Sequence, residues 1–211
     1  MTTPPTALPA EWFAREDEHD DLSFYISPRM VAHIDAGAIR AATASFRSLL
    51  PPGGAILDLM SSRYSHLPED VAYTRVAGLG LNTEEMAANP QLSEYVVQSL
   101  NADPVLPYAD ASFDGGVCTV SVQYLTRPAE VFAEVGRVLK PDAPMIVAYS
   151  NRMFPTKATA VWRSLDDTQR AGLIASYFRA SGVFAPAESH NSGAGKRWGD
   201  PLYLVVARRL S

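Results

Sequence analysis

The chain has 211 residues, 47% of them hydrophobic and 19% charged, with a formal net charge of -5. That length suits one well-buried domain with an N-terminal extension rather than two full-sized domains. The basic residues are dispersed, so we expect neither nucleic-acid binding nor a polybasic membrane contact. No apolar stretch reaches bilayer length, and the chain starts Pro-rich and then acidic. We therefore expect no signal peptide, no membrane span and a cytoplasmic protein.

The first stretch of the chain predicts an arm followed by a helix. Residues 1–26 combine several prolines with a dense acidic run, which is typical of a solvated or loosely docked segment. Trp12 and Phe13 are the candidates to anchor it. Ser27 can cap a helix and a proline follows it, so we expect an amphipathic helix over 27–50. That helix would belong to a single domain that continues to the end of the chain.

A short apolar run around Asp58 predicts a buried parallel strand that ends in a polar loop. Open α/β sheets bind their ligands at the carboxyl ends of such strands. A second strand is expected over 74–82, with Asn82 or Thr83 capping the helix after it. Between the two strands, Pro68 should shorten or displace any helix.

The rest of the chain alternates strand and helix patterns. Further strands are expected over 96–101, 116–120, 145–149, near 184–188, and over 202–207, with helices from Pro128 and from Asp166 or Asp167. The last two strands should pair antiparallel across a hairpin that contains Gly195 and Lys196, whose spacing does not match a phosphate-binding loop. This alternation predicts a doubly wound, mostly parallel sheet over residues 54–208, covered by helices on both faces.

Three segments resemble class I S-adenosylmethionine-dependent methyltransferases, in a divergent branch similar to the type 11 group. They are the strand sequence LDL at 57–59, LPYADASFD at 106–114 and EVGRVLKP at 134–141. The resemblance implies a Rossmann-like sheet of seven strands. It also implies S-adenosylmethionine as cofactor and a small molecule as methyl acceptor.

The chain departs from the family at two motifs. Met60, Ser62 and Tyr64 stand where the family has the glycines that let the backbone approach the cofactor. Gly80 stands where the family has the acid that holds the ribose hydroxyls. Two interpretations follow: Asn82 or a neighbouring backbone group takes over the sugar, or no nucleoside binds.

The resemblance places two sets of candidate residues at the strand ends. Asp58 would meet the methionine amino group of the cofactor, and Asn101 replaces the family's acid at the adenine amino group. The candidate cofactor residues are Asp58, Met60, Ser61, Ser62, Leu81, Asn82, Asn101, Ala102 and Ser121. The candidate substrate residues are Tyr25, Arg29, Gln123, Tyr124, Asn151 and Arg152. No catalytic residue and no metal site is predicted.

Several of these candidates have a plain structural alternative. Tyr25 can simply pack, with Arg29 facing water. Asn151, Arg152 and Lys157 either bind an anionic group of a substrate or form a loop cap with solvated charges. For the whole chain the alternative to a methyltransferase is a binding or scaffold protein that keeps the fold and has lost the cofactor.

Overall fold

The computed structural model describes residues 8–193 and 199–211. Its strands are β1 (Ala55–Ser61), β2 (Arg75–Gly80), β3 (Glu94–Val97), β4 (Gly115–Thr119), β5 (Pro144–Tyr149), β6 (Glu188–Asn191) and β7 (Tyr203–Arg208). Its α-helices are α1 (Asp21–Phe24), α2 (Ala36–Leu49), α3 (Thr83–Ala87), α4 (Pro128–Val138), α5 (Ala160–Ser164) and α6 (Asp167–Ser181). Short 3-10 turns cover Ala10–Phe13 and Val122–Tyr124.

The strands form one sheet in the order β3-β2-β1-β4-β5-β7-β6. The first five strands run parallel, and β7 runs antiparallel to both β5 and β6. This arrangement confirms the predicted doubly wound sheet of seven strands and its antiparallel final pair. The strand order reverses beside β1, so the carboxyl ends of β1 and β4 border the crevice where such sheets bind ligands. The predicted hairpin residues Gly195 and Lys196 lie outside the described residues.

Apolar stripes on the helices bury the two faces of this sheet. On one face, α4 contributes Val131, Phe132 and Val135, which pack with α6 into a large cluster. On the other, Ala38, Ala42 and Phe46 of α2 lie against a second cluster that includes strand residues of β1, β4 and β5. Burial of this apolar surface is the main force that stabilises the sheet. Within the described ranges, no helix is both long enough and apolar enough to cross a bilayer.

The helix expected over 27–50 occupies only Ala36–Leu49, so its predicted start is wrong. Asp35 caps the helix instead, because its side chain accepts a hydrogen bond from the Ala38 N–H at 2.9 Å. Asp35 and Asp200 also exchange two bonds, each backbone N–H donating to the other's carboxylate at 2.9 and 2.8 Å. Residues 26–34 therefore lie outside the helix.

Two other elements differ from expectation. No helix forms between β1 and β2, where the region around Pro68 was expected to shorten one. β3 occupies Glu94–Val97 rather than 96–101. Asn101 consequently lies in the loop that follows the strand and not at the strand end itself.

The residues at 8–35, here called the N-terminal segment, are docked onto the domain rather than solvated. Two backbone bonds tie the segment to the region after β5, from Asp17 N to the Thr156 carbonyl at 2.9 Å and from Ala160 N to the Ala14 carbonyl at 2.8 Å. Phe13 packs on the core, whereas Trp12 remains 36% exposed. The prediction of a solvated or loosely docked arm is therefore corrected for the described part of it.

A buried ion cluster completes that docking. Lys157 is fully buried, with its Nζ 3.2 Å from Asp21 Oδ1 and 2.5 Å from the His19 carbonyl oxygen. Arg15 Nη1 lies 2.7 Å from the same Asp21 oxygen, and Asp17 lies 3.4 Å from the lysine. We call Arg15, Asp17, Asp21 and Lys157 the clasp.

Candidate functional site

A cavity of about 280 Å³ opens at the carboxyl ends of β1, β2 and β4. The N-terminal segment and the loop after β5 close it from above. Ligand sites in open α/β sheets form at this place because loops from several strands meet there. The cavity is therefore the candidate site.

Asp58 is the central acid of the cavity floor. Its side chain is 3% exposed, and its Oδ2 accepts hydrogen bonds from Ser61 Oγ and Ser65 Oγ, both at 2.6 Å. Burial raises the pKa of Asp58 to about 6, and the two serine bonds oppose that rise. No cation of the described chain contributes to this balance, and Oδ1 has no hydrogen-bond partner there. The carboxylate is thus available to a positively charged ligand group.

Three residues that line the cavity adopt left-handed backbone conformations without being glycine. They are Met60 with φ 57°, His66 with φ 57° and Val120 with φ 45°. Such angles are costly for side chains with a Cβ, most of all for a branched one like valine. Met60 thus keeps the conformation of a glycine at the position where the resembled family has one. Backbone strain of this kind clusters at functional sites.

The end of β2 shows why no acid stands at Gly80. A Cβ at this position would lie 2.1 Å from the Ser61 carbonyl oxygen, so any side chain there would displace the loop after β1. The nearby acid is Glu85 of α3, which is 5% exposed and lines the cavity. Its carboxylate accepts hydrogen bonds from Arg29 N at 2.6 Å and from Ser62 Oγ.

Asn82 and Asn101 both bind the N-terminal segment. Asn82 caps α3, as predicted, by accepting a bond from the Glu85 N–H, and its Nδ2 donates to the carbonyl of Tyr25 at 2.8 Å. Asn101 Nδ2 donates to Asp21 Oδ2 at 2.8 Å and its Oδ1 accepts from the Thr126 N–H at 2.8 Å. Each amide therefore already fixes protein structure, and only a remaining carbonyl lone pair is open to a ligand.

Aromatic rings surround one arginine at the roof of the cavity. The guanidinium of Arg29 lies 4.8 Å from the centroid of Phe24, 5.1 Å from that of Tyr25 and 5.0 Å from that of Phe154. Tyr124 stacks on Phe154 with centroids 6.0 Å apart and accepts a hydrogen bond from the Phe154 N–H at 2.8 Å. Cation–π contacts offset part of the desolvation cost of the guanidinium.

Two imidazoles also line the cavity. Burial, together with a smaller effect of the neighbouring His33, lowers the pKa of His66 to about 4. Burial also lowers the pKa of His33, against the opposing effect of Glu85. Both rings are therefore neutral at physiological pH and able to accept a proton. In the described part of the chain, no group of three acidic, histidine or cysteine side chains is arranged to hold a metal ion.

The structure brings most of the predicted site residues to this cavity. The candidate cofactor residues that line it are Asp58, Met60, Ser61, Ser62, Leu81, Asn82, Asn101 and Ser121, and the candidate substrate residues are Tyr25, Arg29, Tyr124 and Arg152.

Three candidates lie elsewhere. Ala102 is exposed beyond the cavity, under the N-terminal segment. Gln123 is 2% exposed, and its Nε2 donates to the carbonyls of Val120 and Arg152 behind the wall. Asn151 is exposed after β5.

Sequence reasoning did not assign Glu85, Asp21 or His66 to the site. Glu85 has the pattern of an ordinary first-turn acid, and Asp21 belongs to an acidic run of a type that is usually solvated. Their positions depend on partners 56 and 80 residues away, so no local signal could have found them. The position of His66 in the loop after β1 was the only feature of the sequence that could have indicated a place in the site.

Known proteins share both sequence motifs and fold with this chain. A family model described as a methyltransferase domain matches residues 61–147. No curated protein matches the sequence. The [4+2]-cyclase SpnF has a similar structure, with a TM-score of 0.59 and 16% identity over 82% of this chain and 81% of the cyclase.

Two further solved structures are described as methyltransferases. One is 1,6-didemethyltoxoflavin-N1-methyltransferase from Burkholderia thailandensis, with bound S-adenosylhomocysteine, 17% identity, a TM-score of 0.59 and coverage of 84% of this chain and 80% of that one. The other is an S-adenosylmethionine-dependent methyltransferase from Mesorhizobium loti, with 17% identity, a TM-score of 0.53 and coverage of 80% and 98%. At these identities the structural likeness shows the fold alone.

The fold is that of a Rossmann-like, class I methyltransferase domain. The match of the methyltransferase-domain model to residues 61–147 agrees with the sequence motifs that resemble this family.

Proposed function

We propose that this protein transfers a methyl group from S-adenosylmethionine to a small molecule bound in the cavity. The observation that carries the proposal is Asp58, a buried carboxylate at the carboxyl end of β1 that faces the cavity and has no cation partner in the described chain. An unpaired carboxylate in this position fits the ammonium of an amino-acid moiety. The cofactor would supply a methyl group already activated on a sulfonium sulfur.

The residues around Asp58 divide into two groups. Met60, Ser61, Ser62 and Leu81 line the wall beside it, on the side of the cavity nearest the strand ends of β1 and β2. Glu85 of α3, the helix that follows β2, lines the cavity as Gly80 does, and we propose that it serves the sugar hydroxyls. On the other side, Tyr25, Arg29, Tyr124 and Arg152 would contact the methyl acceptor, with Ser121 between the two groups.

Methyl transfer from a sulfonium requires mainly alignment, so the protein's task is to position the two reactants and exclude water. His33 is a neutral imidazole in the cavity that can take a proton from an acceptor hydroxyl or amine, and we assign it as the candidate for that step. His66 is the poorer base, because its pKa is lowered to about 4.

A second candidate function is binding without catalysis. Asn82 and Asn101, two residues expected to meet the cofactor, donate instead to the N-terminal segment. The fold also occurs in a protein described as a cyclase. A protein of this type would use the cavity for another ligand.

Isothermal titration with S-adenosylmethionine and S-adenosylhomocysteine separates the two. We expect binding at micromolar concentration, weakened about tenfold or more in Asp58→Asn because the variant keeps the shape and loses the charge. Asp110→Asn is the matched control, since the Asp110 side chain is 78% exposed and far from the cavity. Asn101→Ala tests the adenine side of the same site.

No heat at millimolar ligand would exclude methyl transfer and favour the binding protein. Unchanged affinity in both Asp58→Asn and Asn101→Ala would place any cofactor site elsewhere. We further propose that the protein has no nucleic-acid partner, because its basic residues are dispersed and its formal net charge is -5. The cytoplasmic location expected from the sequence stays a prediction.

A further inference from the structure

We propose that Arg29, Tyr25 and Tyr124 form an anion-binding subsite, and that the methyl acceptor is a small molecule with an anionic oxygen group, carboxylate or phosphate, attached to a flat apolar body. This inference rests on the proposed function, because it names the substrate class of the same cavity.

The charges that line the cavity favour an anionic ligand. Three cations line the cavity, Arg29, Arg152 and Lys157. Arg152 lies 2.8 Å from Asp200, and Lys157 is paired within the clasp. Among residues 8–193 and 199–211, no carboxylate lies within ion-pair distance of the Arg29 guanidinium. A partly desolvated cation without a counterion is costly, and a bound anion would remove that cost.

Within the described residues, the side chains of Arg29, Tyr25 and Tyr124 have unused hydrogen-bonding capacity. Arg29 Nη2 donates to the Phe24 carbonyl at 3.2 Å, whereas Nη1 is buried and has no acceptor. The Tyr25 hydroxyl has no hydrogen-bond partner in the described chain. Tyr124 accepts a bond from the Phe154 N–H, which leaves its own hydroxyl hydrogen free to donate. Burial raises the pKa of both tyrosines, so they remain neutral donors.

These three side chains are close together. The Tyr25 ring lies 5.1 Å from the Arg29 guanidinium, and the positive charge of Arg29 acts on the hydroxyls of both Tyr25 and Tyr124. A guanidinium flanked by two phenol donors matches the several acceptor lone pairs of a carboxylate or phosphate. A neutral ligand could accept these bonds but would leave the guanidinium charge without a counterion, and a cationic ligand would be repelled by that charge.

The shape of the subsite favours a planar ligand body. Phe154 stacks on Tyr124 and lies edge-on to Tyr25 and His33, with centroid distances of 6.0, 6.1 and 5.7 Å. These rings give the subsite flat apolar walls beside the guanidinium. Aromatic walls favour a planar body through stacking and apolar burial.

Four probes test the proposal on the full-length protein by ligand-observed NMR titration: benzoate, phenyl phosphate, benzamide and benzylammonium. We expect one or both anions to bind at least about tenfold more tightly than benzamide, and the better anion identifies the anchoring group. Arg29→Gln should remove that preference, and Arg40→Gln, at an exposed position on α2, should retain it. Tyr25→Phe and Tyr124→Phe should each weaken anion binding while keeping the fold.

Equal binding of benzamide and the anions would overturn the proposal, as would binding of neither anion. Preferential binding of benzylammonium would also overturn it, because it would show that the aromatic rings bind a ligand cation in place of the Arg29 guanidinium. S-adenosylhomocysteine is titrated in parallel on every variant. If Arg29→Gln no longer binds S-adenosylhomocysteine, Arg29 contributes to the cofactor site. If the anions show no preferential binding but S-adenosylhomocysteine still binds, the proposed function stands and only the proposed substrate class is excluded.

Discussion

Two buried aspartates line the same cavity and are treated in opposite ways by the protein. Asp21 is 7% exposed, lies 2.7 Å from Arg15 and 3.2 Å from Lys157, and accepts a bond from Asn101. Asp58 is 3% exposed and, within the described residues, accepts bonds from two serine hydroxyls and is paired with no cation. The first carboxylate is neutralised by the protein, and the second is not.

The difference separates structure from function within one cavity. A carboxylate surrounded by cations is satisfied before any ligand arrives, so Asp21 holds the N-terminal segment in place. A carboxylate with only hydroxyl donors carries an uncompensated cost of burial that a cationic ligand group can relieve. Comparing variants at the two sites therefore tests which role each carboxylate has.

The largest effect is expected on breaking the clasp. Asp21→Ala leaves the fully buried Lys157 with only the more distant Asp17 carboxylate, so we expect the free energy of unfolding to fall by about 3–5 kcal/mol. Urea denaturation followed by circular dichroism measures it. Glu18→Ala is the control, because Glu18 contacts the same arginine at 3.6 Å but is 61% exposed, and it should cost less than about 1 kcal/mol. Similar losses in the two variants would refute the assignment of Asp21 to the clasp.

Ionisation of the Asp58 carboxyl is expected to destabilise the fold, whereas the Asp21 carboxylate stabilises it. The folded pKa of about 6 lies above the unfolded value of 3.8, so the protonated form stabilises the fold at low pH and this contribution is lost as pH rises from about 4 through about 6. A difference of this size corresponds to about 3 kcal/mol. Relative to Asp58→Asn, the wild-type protein should therefore lose about 3 kcal/mol between about pH 3 and about pH 7, measured by urea denaturation at each pH. A constant difference between the two proteins would show that Asp58 does not titrate as described.

The sheet and its covering helices were predictable because their signals are local. The helices expected from Pro128 and from Asp166 or Asp167 both form: α4 begins at Pro128 with its apolar side chains buried, and Asp166 caps α6 in a capping box with Gln169. Cys118 lies in the apolar sequence of β4 and is buried there.

The N-terminal segment was not predictable because distant partners decide its structure. Ser27 has the local pattern of a helix cap, but Asp35 caps the helix in the structure. Asp35 is held in place by the hydrogen bonds that it exchanges with Asp200, 165 residues away. The candidate site shows the same division. Asp58 could be found from its own strand, whereas Asp21 and Glu85 acquire their places from residues far along the chain.

The smallest effect is expected from the serines that hold Asp58. Ser65→Ala removes one of the two hydroxyl bonds that oppose the effect of burial, so the pKa of Asp58 should rise above its wild-type value. One such bond is worth about 1–2 kcal/mol, or on the order of one pH unit. Because S-adenosylhomocysteine carries an ammonium group, its affinity should fall as pH drops through the pKa of Asp58.

That fall should begin at higher pH in Ser65→Ala than in the wild type, which calorimetric titration across the pH range measures. Ser61→Ala should behave alike, since its bond to Asp58 has the same length of 2.6 Å. Ser45→Ala, whose hydroxyl bonds to the Ala41 carbonyl within α2, should leave the profile unmoved. If neither serine shifts the profile, the pH dependence of binding arises from another group, and His33 and His66 are the next residues to replace.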